Sequence, residues 1–369
     1  MADANAVTLF LCGDVMTGRG VDQVLPCSCP PRLYEPVVTS AGDYVALAER
    51  ACGAIPRPVA PGYVWGDALA VLERERPHAR IINLETSITT SELAEPKGIN
   101  YRMHPGNVAV LEAARIDCCV LANNHVLDWG DAGLLETLET LERARIRVAG
   151  AGRDLAGAEA PAVLGVAGAR RVLVFAFGAE DSGIPAEWSA GEGRPGVHLI
   201  ADFSERTADR IARLVDAARL PGDIVVASVH WGGNWGFDVP SAHRRFAHAL
   251  IDRARVDVVH GHSSHHPKAI EIHRGRPILY GCGDFLNDYE GIEGHERYRG
   301  DLVLMYFPTL DAATGELRRL ALVPMRIHGF RLCRPSAVDR DWLRGVLDRE
   351  CRRFGHRVSL RDEETMMLE

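Results

Sequence analysis

Four histidines stand within a span of seven residues in this sequence, the segment 260–266. The segment follows the apolar residues Val258 and Val259, and a β-branched run that ends in Gly and His is typical of a buried strand that delivers side chains at its carboxyl end. Because neutral imidazole is a common ligand of divalent metals, the cluster favours metal binding. A polar surface loop explains the same residues, and this segment alone favours neither interpretation.

Other side chains able to do chemistry also follow apolar runs. Asp14, Glu85 and His230 each come at or just after the end of a predicted buried strand, and so does the pair Asn124-His125. Each has a structural explanation when taken singly, such as a helix N-cap for Asp14. Because parallel α/β sheets gather the carboxyl ends of their strands at one edge, we expect these groups to meet in one site.

The types of these side chains indicate what they would bind. Carboxylate, amide and imidazole groups suit hard or borderline divalent ions such as Mn²⁺, Fe²⁺ or Zn²⁺, and the lack of thiolates at these positions argues against a structural zinc site. The candidate ligands outnumber what one ion needs. We therefore expect two ions bridged by a carboxylate, an arrangement that makes a hydroxide nucleophile near neutral pH and stabilises the leaving oxygen.

The elements that must position these groups alternate between strands and helices, which predicts an α/β protein. Strands are predicted at 7–12, 80–85, 117–122, 172–178, 223–230 and 277–281, with an antiparallel pair at 301–307 and 317–327. Helices are predicted at about 131–145, 204–218 and 243–254, and from about 339 onwards. The segment 22–77 is irregular and rich in proline, and we expect an insertion that overhangs the site or serves as structural padding.

Composition excludes several classes of protein. The chain has 369 residues, with 47% hydrophobic and 25% charged residues, as expected for a globular protein with one large α/β domain and an appendage, or with two domains. A net charge of −8 gives no sign of a nucleic-acid partner. No stretch reaches the roughly 18 uninterrupted apolar residues of a membrane span, so we expect no span and a cytoplasmic location. The nine cysteines lack a disulfide spacing.

Five segments, in order, resemble the motifs of the CapA (PgsA-like) capsule and poly-γ-glutamate synthesis proteins, a branch of the calcineurin-like metallophosphoesterases. They are Gly13-Asp14-Val15-Met16 with Arg19, Asn83-Leu84-Glu85, Ala122-Asn123-Asn124-His125 with Asp128 and Gly130, His230-Trp231-Gly232, and Gly261-His262-x-x-His265. The resemblance covers about residues 7–306. It implies a four-layer α-β-β-α sandwich of metallophosphoesterase type, with a di-metal site between its sheets.

This fold would occupy residues 1–330, with the insertion at about 22–77, and a helical appendage would follow at 331–369. The resemblance also implies a role for each motif residue. Asp14 would bridge the two ions, Glu85 stands where the superfamily often has a bridging Asp, His265 would bind the first ion, and Asn124, His230 and His262 the second. The implied catalytic residues are His125 as general acid, Asp128 of the same motif, and Arg19, whose guanidinium would hold an anionic substrate group.

The sequence departs from the superfamily pattern at the first ion. Met16 replaces a His ligand, as is usual in this branch, and a thioether is a poor ligand for a hard ion, so we expect the first ion to be weakly or differently held. Asp284 stands where the branch tends to have Asn, and it is a candidate replacement ligand or base. Many family members carry an N-terminal membrane anchor that this chain lacks, which weakens a direct role in polymer export.

Two functions follow from these expectations. The first is a metal-dependent hydrolase linked to capsule or poly-γ-glutamate synthesis, acting on a phosphoester or γ-glutamyl amide through a metal-bound hydroxide. The second is a non-catalytic accessory protein that binds an anionic polymer or a synthesis partner. Met16 favours the second, whereas the pair Asn124-His125 favours the first, because a structural site has no need of a free imidazole. The expected partners are an anionic small-molecule or polymer substrate and capsule-synthesis proteins.

Overall fold

The computed structural model describes residues 5–166 and 170–369. The strands, in chain order, are β1 (Ala6–Val15), β2 (Ala79–Leu84), β3 (Ser87–Ile88), β4 (Arg102–Met103), β5 (Cys118–Val120), β6 (Arg147–Ala149), β7 (Ala151–Gly152), β8 (Ala162–Val166), β9 (Arg170–Ala179), β10 (Gly196–Val197), β11 (Leu199–Ile200), β12 (Ile224–His230), β13 (Val258–His262), β14 (Ile270–His273), β15 (Arg276–Leu279), β16 (Asp284–Leu286), β17 (Leu302–Asp311), β18 (Leu317–Ile327), β19 (Leu332–Cys333), β20 (Val358–Leu360) and β21 (Met366–Leu368). The α-helices are α1 (Arg19–Val24), α2 (Ala41–Cys52), α3 (Ala68–Glu75), α4 (Ala109–Ala113), α5 (Gly130–Arg143), α6 (Leu155–Glu159), α7 (Glu205–Ala218), α8 (Ser241–Asp252) and α9 (Ala337–Arg352).

The first large sheet is organised around β1. Its strand order is β20-β21-β18-β17-β1-β2-β5-β6, and β16 also pairs with β1 and β19 with β18. Strand β1 runs parallel to β2 and to β16, and the register sets Asp14 opposite Asn83 on one side and Asp284 on the other. Three polar residues therefore meet at the carboxyl end of β1.

The second large sheet has the order β11-β9-β12-β13-β15-β14, with β8 added to β9. Strands β9, β12, β13 and β15 run parallel to one another, whereas β14 pairs with β15 in the antiparallel direction. Their register sets His230, the last residue of β12, opposite His262, the last residue of β13. The carboxyl edge of this sheet therefore carries two adjacent histidines.

The two sheets share one hydrophobic core. Along β9, Val172 and Val174 belong to the same core cluster as the β1 and β2 side chains, whereas Leu173 and Phe175 belong to a second cluster with residues of α7 and α8. This alternation follows from the two-residue period of a strand. The second sheet is thus covered by the first sheet on one face and by helices on the other, in a mixed α/β architecture.

The structure confirms most of the predicted elements, including the α/β class and the antiparallel pair, which is β17 with β18. The segment 22–77 contains α2 and α3 and is otherwise irregular. A helix after residue 330 is confirmed as α9, but the description of residues 331–369 as helical is incomplete, because β19, β20 and β21 extend the first sheet. The side chains of Leu343 and Leu347 also join the shared core. The domain boundary at 330 stays a prediction.

Among the described residues, none of the helices combines the length and the apolar character needed to cross a membrane.

Candidate metal centre

The carboxyl ends of the central strands bring most of the predicted ligands together. Asp14 is the penultimate residue of β1, Glu85 follows β2, and His230 and His262 end β12 and β13. Asp284, the first residue of β16, joins them through its pairing with β1. All five are at most 3% exposed, so their polar groups need partners from the protein or from a bound ion.

Two groups of candidate ligands share Asp14. Asp14, His230 and His262 offer ligand atoms that all lie within 4.8 Å of one another, and so do Asp14, His265 and Asp284. A carboxylate has two oxygens, so Asp14 is able to serve both groups. The predicted bridging position of Asp14 fits this arrangement, although occupancy by an ion is untested.

The hydrogen bonds around His262 determine which of its nitrogens carries the proton. His260 Nε2 donates to the Cys12 carbonyl oxygen at 2.7 Å, which leaves its Nδ1 to accept from the Ser228 hydroxyl at 3.0 Å. The Ser228 oxygen then accepts from His262 Nε2 at 2.8 Å. Burial lowers the pKa of both histidines, so each ring has one proton and His262 Nδ1 has a free lone pair.

The hydrogen-bond partners of His230 favour a cation beside its ring. Its Nδ1 lies 2.7 Å from His262 Nδ1, and its Nε2 lies 2.9 Å from the Asn124 amide oxygen. Burial also lowers the pKa of His230 well below its usual value, so this ring has one proton for two acceptors. An ion held by His230 and His262 would relieve this shortage of protons, because a ring nitrogen that binds the ion needs no proton from its neighbour.

Asn124 lies against the other ring nitrogen of His230. Its amide oxygen contacts the Nε2 atom of His230, on the far side of the ring from His262, as an orienting partner would. Glu85 lies on the same side, with its Oε1 atom 3.8 Å from His230 Nε2. Both predicted ligands are therefore beside the first group of candidate ligands, and their coordination of an ion stays a prediction.

His265 and Asp284 belong to the second group. His265 Nδ1 lies 2.8 Å from Asp284 Oδ1, and Asp284 Oδ2 accepts from the Asn287 amide at 2.8 Å. Burial acts to lower the pKa of His265, but the Asp284 carboxylate outweighs it and the pKa is raised. Met16 is turned away from an ion-binding role, because its sulfur accepts from the Gly18 N–H at 3.2 Å.

The electrostatics of the centre also fit a cation. Burial and the Asp284 carboxylate raise the pKa of Asp14 to about 7. Burial, followed by the charge of Asp14, raises the pKa of Glu85 well above its usual value. The three buried carboxyl groups of Asp14, Glu85 and Asp284 have too little positive charge near them. A divalent ion would supply that positive charge.

His125 lies beside this centre and is held by Asp128 and Tyr101. Its Nδ1 donates to Asp128 Oδ2 at 2.6 Å, and its ring stacks on Tyr101 with the ring centroids 4.0 Å apart. Burial lowers the pKa of His125 to about 4, although Asp128 acts to raise it. The neutral ring keeps Nδ1–H on Asp128, which leaves Nε2 for proton exchange.

Arg19 is held by protein groups. Its Nε and Nη2 atoms donate to the two carboxylate oxygens of Asp288, at 3.2 and 2.5 Å, and Nη1 donates to Glu35 and to Tyr44 at 2.8 and 2.9 Å. Most of its donors are thereby engaged, as in an internal clamp. Its predicted contact with an anionic substrate group stays a prediction, although Arg19 does line the cavity described next.

The candidate centre opens into a cavity of about 800 Å³. Its walls include Glu85, His125, His265 and Asp284, together with Tyr44 from the segment 22–77. Part of the predicted insertion thus lies beside the site. A cavity of this volume accommodates a small molecule or a short stretch of polymer.

The sequence did not reveal Lys97 or the role of Asn83. Lys97 Nζ donates to Asp128 Oδ1 at 2.8 Å and also to the Asn124 carbonyl oxygen. Asn83 Nδ2 donates to Asp14 Oδ1 at 2.7 Å, which orients the shared carboxylate. One signal was present for Lys97: of 42 basic residues only Lys97 and Lys268 are lysines, so a lysine here is unusual.

The class defined by these features is an α/β protein with a buried candidate metal centre at the meeting edge of two sheets. Residues 8–289 match the sequence family described as bacterial capsule synthesis protein PGA_cap, and the chain belongs to that family. The predicted resemblance to the CapA proteins is confirmed.

Several named proteins are similar to this chain. It is 50% identical over 364 residues to a probable polyglutamine synthesis accessory protein of Mycobacterium tuberculosis, covering 98% of this chain and 96% of that protein. It is 29% identical over 249 residues to the PGA biosynthesis protein CapA of Bacillus subtilis, covering 67% and 60%. It is 22% identical over 336 residues to the capsule biosynthesis protein CapA of Bacillus anthracis, covering 91% and 71%.

Proposed function

We propose that this protein is a metal-dependent hydrolase that serves capsule or poly-γ-glutamate synthesis and cleaves a phosphoester or a γ-glutamyl amide. The observation that carries the proposal is the pair of ligand groups that share Asp14, next to a neutral His125 held by Asp128. The cofactor would be two divalent ions, Mn²⁺, Fe²⁺ or Zn²⁺, since the donors are carboxylates and imidazoles.

We also infer that the layers follow the four-layer α-β-β-α sandwich of metallophosphoesterases. The support lies in the alternation along β9, where neighbouring side chains enter different cores. Asp14 comes from the first sheet and His230 from the second, so the centre draws on both sheets.

The residues of the chain have separable tasks in this proposal. Bound divalent ions would acidify a water molecule and offset the negative charge that builds on the substrate oxygen. Asn83 fixes the orientation of Asp14. His125 exchanges a proton at Nε2 while Asp128 holds Nδ1–H, and Lys97 holds the Asp128 carboxyl group in place.

The names of the similar proteins direct the choice of substrates. Relatives named for polyglutamine, PGA and capsule synthesis make an anionic polymer, or a precursor of one, the first class to test. Both a phosphoester and a γ-glutamyl amide build negative charge on oxygen during cleavage, so the same centre suits either bond. Other capsule-synthesis proteins are the partners this proposal implies.

The first experiment measures metal content per chain after purification without chelators. Wild type is compared with His262→Ala, and His248→Ala serves as the matched control because His248 contacts Glu271 outside the centre. We expect this centre to contribute about two ions per chain in wild type and in the control, and fewer in His262→Ala. No ion after reloading would overturn the proposal, and a single ion would overturn its two-ion form.

A non-catalytic accessory role is the second candidate. It is favoured by the name of the 50% identical relative, an accessory protein, and by Met16, which takes the place of a ligand. Turnover separates the two candidates once the protein is loaded with metal. Cleavage of any phosphoester or γ-glutamyl peptide that is lost in His125→Ala supports the hydrolase, whereas binding of poly-γ-glutamate without cleavage supports the accessory role.

A further inference from the structure

A separate cluster of candidate metal ligands, which does not include Asp14, lies at the rim of the cavity beside the Asp14 centre. Cys52, Glu290 and His328 offer a thiol sulfur, a carboxylate oxygen and an imidazole nitrogen that all lie within 4.8 Å of one another. His328 Nδ1 is 3.9 Å from Glu290 Oε1. The three residues come from the end of α2, the segment after β16 and the turn after β18, so the fold alone brings them together.

Two backbone N–H groups orient the carboxylate of Glu290 in this cluster. The Gly329 N–H donates to Glu290 Oε1 at 2.8 Å and the Phe330 N–H donates to Oε2 at 2.7 Å. Both donors belong to a turn of positive φ, +65° at Gly329 and +55° at Phe330. Each carboxylate oxygen keeps a lone pair for a further partner, so Glu290 is oriented without being saturated.

The thiol is placed by the last turn of α2. Cys52 Sγ donates to the Ala48 carbonyl oxygen at 2.9 Å, an i to i−4 contact within the helix. Burial and the Glu290 carboxylate raise the pKa of the Cys52 thiol, so a bound metal ion would have to displace this proton for the sulfur to serve as a thiolate ligand. His328 is 53% exposed in its side chain, so the cluster is open to solvent and to an entering ion.

We propose that Cys52, Glu290 and His328 form a zinc-binding site separate from the Asp14 centre. Thiolate, imidazole and carboxylate together suit a borderline ion of tetrahedral preference, and water would take the fourth position. The candidate ligands of the Asp14 centre include no cysteine, so the two sites differ in donor chemistry. This inference does not rest on the proposed hydrolase function.

An ion at this site would link helix α2 to another part of the fold. Helix α2 also carries Tyr44, whose hydroxyl contacts Arg19 and Glu35 at the cavity wall. An ion held by Cys52, Glu290 and His328 would tie α2 to the turn after β18. The site would thus fasten the segment 22–77 to the rim of the cavity.

The first test measures alkylation of individual cysteines in the full chain, stripped of metal and then supplied with Zn²⁺ alone. We expect Zn²⁺ to slow alkylation of Cys52 by about tenfold or more, because a metal-bound thiolate is shielded. Exposed Cys27 is the control within the same molecule, and its rate should not change. Unchanged alkylation of Cys52, or protection that survives in His328→Ala, would overturn the proposal.

A second test separates this site from the Asp14 centre. Co²⁺ bound to thiolate gives a near-ultraviolet charge-transfer band that a site of carboxylates and imidazoles does not give. We expect the band in wild type and in Asp14→Asn, and its loss in Cys52→Ser. Absence of the band from wild type, or a band of equal strength in Cys52→Ser, would refute the site, whatever the result at the Asp14 centre.

Discussion

His265 Nδ1 lies 2.8 Å from Asp284 Oδ1, and this contact joins the turn after β13 to the first residue of β16. The pairing of β16 with β1 sets Asp284 opposite Asp14, so both residues of the contact face the shared carboxylate. Met16 is turned to the Gly18 N–H and is not available there. We therefore predict that Asp284 is a ligand of one ion of the proposed centre.

Replacement of Asp284 by Asn should therefore weaken one ion and spare the other. Asn keeps the size of the side chain but removes the charge, and we expect at least about a 10–100-fold loss of affinity for one ion per chain. Titration of the metal-free protein with Mn²⁺ or Zn²⁺ measures this. Asp301→Asn, at the rim of the same cavity, is the matched control. Equal affinity in Asp284→Asn and wild type would exclude Asp284 as a ligand.

His125 should affect turnover without affecting metal content. Its Nδ1 is engaged by Asp128 and its ring is packed on Tyr101, so the residue is built for proton exchange. We expect His125→Ala to lower the rate of hydrolysis by about 10²–10⁴-fold. Metal analysis of the same preparation should give the wild-type value, and His248→Ala should retain full activity. Joint loss of ions and activity would make His125 a ligand instead.

The strand ends were the predictable part of the centre. Apolar, β-branched runs before Asp14, His230 and His262 predicted buried strands, and the rule that parallel strands present their carboxyl ends at one edge placed these residues together. The structure bears this out, because the residue pairs Asp14–Asn83 and His230–His262 are register partners.

The contacts between distant segments were beyond sequence reasoning. Asn124 was predicted as a ligand from its motif, yet its amide contacts the outer nitrogen of His230. Lys97 follows no strand, so no periodic pattern led to it. Cys52 and His328 lie far apart in the chain, and their proximity depends on how α2 packs against the turn after β18.

Acid should destabilise the fold through its buried neutral histidines. Burial lowers the pKa of His198 to about 3 and of His260 and His266 to about 4, against 6.5 for the unfolded chain. Between about pH 6.5 and pH 4 the unfolded state binds protons that the folded state cannot, so stability present above pH 6.5 falls as the pH falls. Each such histidine contributes up to about 1.4 kcal/mol per pH unit.

Urea unfolding of His198→Gln at pH 7, 6 and 5 tests this relation. We expect the variant to lose less stability per pH unit than wild type, by up to about 1.4 kcal/mol and mainly below pH 6.5, because it has no proton to bind in the unfolded state at that position. His295→Gln, at an exposed position, should keep the wild-type slope. Parallel pH slopes for His198→Gln and wild type would show that His198 is not kept neutral by burial.

Arg19 should matter more for stability than its motif position suggests. Its guanidinium is buried and is bound by Asp288 on one side and by Glu35 on the other. Arg19→Met would leave two carboxylates buried without their cation, and removal of one partner of a buried pair destabilises by about 3–5 kcal/mol. Urea unfolding measures the loss, and Arg32→Met, which removes a cation near Tyr34, should change stability by less than about 0.5 kcal/mol. If Arg19→Met instead unfolds like wild type but no longer binds an anionic substrate, the internal pairs are dispensable and Arg19 belongs to substrate binding, as its motif implied.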